Sequence, residues 1–128
     1  MRVLLDTHTF IWWLTGDSRL AETARRAVAT EANDVLVSAA SAWEIATKHR
    51  LGRLREAEAL ARDVRGAIAS QGFEELPIGV ADAEIAGRLA GPHRDPFDRM
   101  LIAQSLSREL VLLSNEEAFD RYGVNRLW

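Results

Sequence analysis

Arg2-Val3-Leu4-Leu5-Asp6-Thr7-His8 decides the reading of the fold. Three consecutive apolar residues end on an acid, and the chain passes at once into a helical stretch, Thr7–Leu14, that breaks at Gly16-Asp17-Ser18. The same alternation continues outward from there. Leu20, Ala24, Ala27 and Val28 fall at helical spacing, Val35-Leu36-Val37 reads as a second strand, and Ala39–Leu51 as a helix that stops at Gly52. Arg55–Ser70 reads as one further helix ending at Gly72, and Phe73–Ile78 as a third strand. Ala81, Ile85 and Leu89 mark a helix closed by Gly91-Pro92. Pro96 stands where a helix begins, because the first turn needs no proline N–H, and that helix runs to about Arg108. Leu110–Leu113 is a fourth strand, Glu116–Arg121 a short helix and Val124–Trp128 a last short strand. Strands alternating with helices predict an α/β fold around a mainly parallel sheet of four to five strands, with residues 1–128 as a single domain.

Composition narrows the function. With 48% apolar and 27% charged residues the chain is expected to be globular and not disordered. It has no run of 18 apolar residues, and the three before Asp6 are too few for a signal-peptide core, so a cytoplasmic location without a membrane is expected. The absence of cysteine excludes disulfides, thiolate metal sites and a cysteine nucleophile. The formal charge of −3 argues at first against a nucleic-acid partner, yet setting four clustered acids aside turns it to +1. Fifteen Arg against a single Lys, Lys48, suit bidentate phosphate contacts, but codon bias accounts for the same excess, so the count decides nothing.

The acids are the stronger signal. In an open parallel sheet ligands gather at the carboxyl ends of the strands, and the helices that return antiparallel start at that same edge. Asp6 ends the first strand, Glu44 lies in the opening turns of the helix after the second, Asp98 in the first turn of the helix that begins at Pro96, and Glu116 directly after the fourth strand. Four acids far apart in sequence are therefore expected on one edge. Clustered carboxylates repel unless protons or cations intervene. Oxygen donors with no Cys and no paired His select Mg²⁺ or Mn²⁺ over Zn²⁺. Such an ion binds phosphate oxygens and activates water, so the implied chemistry is metal-assisted hydrolysis of a phosphodiester.

Each residue also has a plainer role. Asp6 can cap the helix it precedes, Glu44 can pair with Lys48 one turn on, Asp98 can complement a helix N-terminus, and Glu116 can be a surface acid. Asp95, just before Pro96, reads first as a cap, and Asp120 competes with Glu116 for the place of fourth acid. His8 and His93 flank the expected edge, where a structural hydrogen bond is the commoner role than contact with a substrate phosphate. His49 reads as solvated, and Trp12, Trp13 and Trp43 as core or interface residues.

Four segments in order resemble a known family: Leu4-Leu5-Asp6-Thr7-His8, Ser41-Ala42-Trp43-Glu44-Ile45-Ala46, His93-Arg94-Asp95-Pro96-Phe97-Asp98-Arg99-Met100-Leu101-Ile102-Ala103-Gln104 and Leu112-Leu113-Ser114-Asn115-Glu116. The chain looks like a PIN domain of the virulence-associated protein C (VapC) type over nearly its whole length. The resemblance implies a three-layer α/β/α fold and Mg²⁺ or Mn²⁺ held by acids matching Asp6, Glu44 and Asp98, with Thr7 and Ser114 as small polar residues nearby. It implies an RNA substrate, a neutralising antitoxin that blocks the site, and a homodimer. The family often has Thr-x-Asp after the fourth strand where this chain has Ser114-Asn115-Glu116, so the fourth ligand is the weakest part of the match.

Three rival readings fit less well. A haloacid-dehalogenase-type phosphatase wants a second Asp where His8 stands and a Lys near a later strand end. A response-regulator receiver lacks its acid pair and Lys in the same way. An inactive RNA-binding scaffold of the same fold has no reason to retain Asp6, Glu44 and Asp98.

Overall fold

A computed structural model describes residues 1–128. Five strands, β1 (Arg2–Leu5), β2 (Asp34–Ser38), β3 (Glu74–Leu76), β4 (Val111–Leu113) and β5 (Asn125–Leu127), form one sheet in the order β3-β2-β1-β4-β5, with every pairing parallel. Parallel neighbours require long crossovers, and helices supply most of them. Helices α1 (Thr7–Thr15) and α2 (Glu22–Ala29) join β1 to β2. Helices α3 (Ala39–Arg50), α4 (Glu58–Arg62) and α5 (Val64–Ser70) lead to β3, and α6 (Val80–Arg88) and α7 (Pro96–Ser107) lead to β4. A 3₁₀ turn over Glu117–Tyr122 connects β4 to β5. No helix is long and apolar enough to cross a membrane.

The central strands are apolar at consecutive positions because both faces are covered. On one face Val3, Leu5, Val35, Val37 and Leu113 pack with Phe10 and Ile11 of α1, Ala24 and Val28 of α2, Ile45 of α3 and Ile68 of α5. On the other, Leu4, Leu36, Leu76 and Leu112 meet Leu101 and Ile102 of α7 and Phe119 of the 3₁₀ turn. The layers are thus α/β/α, as the sequence and its resemblance imply.

Three local expectations change. The single helix expected over Arg55–Ser70 is a 3₁₀ turn (Arg55–Ala57) followed by α4 and α5. Asp63 leaves the helical backbone (φ −153°, ψ 75°) and its carboxylate accepts from Gly66 N at 2.9 Å, so an N-cap starts a new helix inside the periodic stretch. The third strand stops at Leu76 because Pro77 has no N–H to continue a ladder. The short segment after β4 is 3₁₀ and not α-helical, and it closes on Gly123 at φ 74°.

A buried polar network ties the two layers of helices together. Ser38 Oγ, which caps α3, donates to Gln104 Oε1 of α7 at 2.6 Å, and Gln104 Nε2 donates to Pro77 O at 3.1 Å. Leu4, fully buried on the α7 face of β1, carries the packing side of this arrangement. Leu4→Ala is expected to lower unfolding free energy by about 2–5 kcal/mol in urea titrations. A loss below about 1 kcal/mol contradicts a central strand covered on both faces.

Candidate metal centre

From β1 the chain builds outward to β2 and β3 on one flank, then crosses to β4 and β5 on the other, so the connections diverge between β1 and β4. Where connections diverge in this way, an open α/β sheet has its crevice at the carboxyl ends of the strands, the usual place for a ligand. Asp6 follows β1 and is 4% exposed. Its N–H donates to Leu113 O of β4 at 3.1 Å, and its Oδ1 accepts from Thr9 N at 2.8 Å, capping α1. The plainer role of Asp6 is therefore real and leaves its second oxygen out of the cap.

Beside Asp6, Thr7 Oγ1 donates to Glu44 Oε1 at 2.6 Å and lies 3.0 Å from Ser41 Oγ. Lys48 Nζ meets Glu44 Oε2 at 2.5 Å, one helical turn along α3. Glu44 is buried at 3% exposure with both oxygens engaged. This is one half of the edge.

The other half is built on α7. Asp95 Oδ1 accepts from Phe97 N at 2.8 Å and from Asp98 N at 3.1 Å, the cap expected of a residue before Pro96. Asp98 Oδ2 is 2.7 Å from His93 Nε2. Ser114 Oγ accepts from Glu116 N at 3.0 Å, which sets Glu116 immediately past β4. One ligating atom each of His93, Asp98 and Glu116 lie within 4.8 Å of one another. Asp6 and Glu44 stand outside this tightest group.

Burial pushes the Asp98 carboxyl up to about 7. The hydrogen bond from His93 pulls it down, while the charges of Asp95, Glu116 and Glu44 push it further up. Glu44 and Asp98 therefore feel each other across the crevice, although no direct hydrogen bond joins them. Asp120 is differently placed: Arg126 holds it with two hydrogen bonds of 2.7 and 3.0 Å, and the guanidinium lowers its carboxyl below the ordinary value. Between the two candidates for fourth acid, Glu116 faces the cluster and Asp120 is engaged elsewhere.

His93 lies closer to the acids than its place in the sequence indicates. Its signal was a histidine two residues before an Asp-Pro helix start, too local to reveal the contact with Asp98. Arg99 is a second residue whose role sequence spacing does not reveal. Its guanidinium donates to His93 O at 3.0 Å, to Ala86 O at 3.1 Å and to Leu89 O, so it fastens the loop that carries His93. His8 is exposed and packs on Trp12, and His49 lies at the surface 3.7 Å from Glu58. Trp12 is buried, Trp13 half-buried with its indole N–H on Gln71, and Trp43 is 62% exposed, edge-on to Phe97.

A model of the PIN domain family matches residues 3–125, and the chain belongs to that family. Solved structures agree on the fold. VapBC2 from Rickettsia felis, bound to a DNA fragment from their promoter, superposes at TM-score 0.72 with 13% identity, over 99% of this chain and 98% of that one. VapBC-1 from nontypeable Haemophilus influenzae gives 0.69 with 14% identity, over 99% and 97%. VapC20 of Mycobacterium tuberculosis, a sarcin-ricin loop cleaving toxin, gives 0.67 with 20% identity, over 95% of each. No curated protein matches the chain by sequence. Family membership sets aside the phosphatase and receiver readings.

The raised Asp98 carboxyl makes stability depend on pH in the metal-free protein. Its folded-state value, about 7, lies above the ordinary 3.8, so between these values the folded chain holds a proton that the unfolded chain has lost. This contribution is full below about pH 4 and disappears as pH rises through about 7. The melting temperature in EDTA, taken as wild type minus Asp98→Asn, is expected to fall between pH 4 and pH 8, with the variant the more stable at pH 8. A difference that stays constant across that range contradicts the buried, crowded carboxyl.

Proposed function

We propose that the chain is a Mg²⁺- or Mn²⁺-dependent endoribonuclease that hydrolyses RNA phosphodiesters, the toxin of a VapC-type toxin–antitoxin pair. The observation that carries this reading is the crowding around Asp98: its carboxylate shares one group of ligating atoms with Glu116 and His93, and burial together with the charges of Asp95, Glu116 and Glu44 drives it toward neutrality. Carboxylates crowded in this way fit a hard divalent cation, which removes the repulsion that otherwise has to be met by protons.

Asp6, Asp98 and Glu116 would hold the ion, and Glu44 would add negative charge close by. A bound divalent ion supplies an activated water and offsets charge building on the phosphorus. The protein's own groups prepare that chemistry. Thr7 pins one Glu44 oxygen and Lys48 balances the other. Asp6 and Asp95 fix the starts of α1 and α7, whose N-termini favour negative charge at the crevice. Without a cation the acids repel an RNA phosphate, so substrate entry depends on metal loading.

RNA as substrate draws support from the VapC-type motifs and from the likeness to VapC20. A cognate antitoxin is the expected partner, and an Arg guanidinium is the group best able to occupy the acidic edge by pairing with a carboxylate in bidentate fashion. Trp43 and Phe97, with Ile78, Ala83 and Met100, line an apolar recess between α3, α6 and α7 that suits a second copy of the chain. A cytoplasmic location belongs to the same reading.

The test is cleavage of single-stranded RNA by purified protein. Cleavage is expected with Mg²⁺ or Mn²⁺, none in excess EDTA, and none by Asp6→Asn or Asp98→Asn, both folded by circular dichroism. Undiminished cleavage in EDTA, or normal cutting by either variant, overturns the proposal.

A further inference from the structure

The tightest group of ligating atoms in the molecule is not made of oxygen alone: it is His93, Asp98 and Glu116. The loop that carries His93 is fastened at several points. Its N–H donates to Tyr122 Oη at 3.0 Å and its carbonyl accepts from Arg99. Gly91 runs so close to Tyr122 that a Cβ there would lie 2.8 Å from the phenol oxygen. The imidazole is wedged edge-on between Phe119 and Tyr122, at ring separations of 6.0 and 6.4 Å. Backbone and ring are thus both fixed, and what they present to the crevice is Nε2, 2.7 Å from Asp98 Oδ2.

We propose that His93 Nε2 is a direct donor, together with Asp98 and Glu116, to a cation position that takes first-row transition ions such as Mn²⁺ in preference to Mg²⁺. This rests on the metal-dependent reading above and deepens it by assigning the ion's chemistry. Mg²⁺ favours oxygen and gives up its waters reluctantly, whereas imidazole is a good donor to transition ions. The three ligating atoms are close enough to surround one ion, and the edge formed by Asp6 and Glu44 contributes only oxygen. The competing role for His93 is to orient Asp98 through a hydrogen bond, which is blind to the identity of the ion.

Isothermal titration of the full chain with Mn²⁺ and with Mg²⁺ separates the two roles. His93→Gln keeps an N–H to offer Asp98 but removes the imidazole donor. Wild type is expected to bind Mn²⁺ more tightly than Mg²⁺. The variant should lose roughly 10-fold or more in Mn²⁺ affinity, since even groups behind a ligand typically cost 10–100-fold, while Mg²⁺ affinity changes by less than about threefold. Parallel losses for both ions, or no loss for either, overturn the proposal and leave metal dependence standing. Failure of wild type to bind any divalent ion overturns both. Should His93→Gln not fold, pulsed EPR of Mn²⁺ bound to wild type is expected to show the ¹⁴N hyperfine coupling of a directly coordinated imidazole. Bound Mn²⁺ without that coupling overturns the proposal equally.

Discussion

Like-charge repulsion at the carboxyl edge of β1 and β4 is the constraint on which the rest of the site depends. Asp98 shows its effect: burial first, and then the charges of Asp95, Glu116 and Glu44, hold its carboxyl near 7. The fold offsets this cost with what lies at hand. Helices α1, α3 and α7 all begin at that edge, where their N–H groups and dipoles favour negative charge. Asp6 and Asp95 each commit an oxygen to capping, and Lys48 covers Glu44. Under the function proposed above, a divalent ion would complete the compensation that these groups leave partial.

Holding repelling groups in place requires a rigid support. The two apolar layers supply most of it, and the polar network through Gln104 supplies the registration. Ser38 begins the helix that bears Glu44, and Gln104 belongs to the helix that bears Asp98, so their hydrogen bond fixes one half of the edge against the other. Asp82 reinforces the same junction by accepting from Arg108 at 2.8 Å and from Gly79 N at 2.9 Å. Such buried networks specify one arrangement because every alternative strands a polar group.

What the sequence made legible was local. A strand that ends in Asp6 and passes straight into a helix, and a Pro96 preceded by Asp95, are readable because caps and turns act over three or four residues. The break at Asp63 escaped because helical periodicity continues through it, and only the cap to Gly66 reveals the restart. The choice between Glu116 and Asp120 was not legible, since it turns on Arg126, which arrives from β5 to engage Asp120. The role of His93 was hidden for the same reason: Arg99 and Tyr122 place it, and neither contact has a signature in spacing.

The central claim is that the acids meet in order to hold a cation. Anomalous diffraction from crystals equilibrated with Mn²⁺ tests it most directly. The account predicts a peak in the crevice between the ends of β1 and β4, in coordinating contact with the Asp98 carboxylate. A map without a peak there, or with Mn²⁺ bound only at other acids, contradicts it.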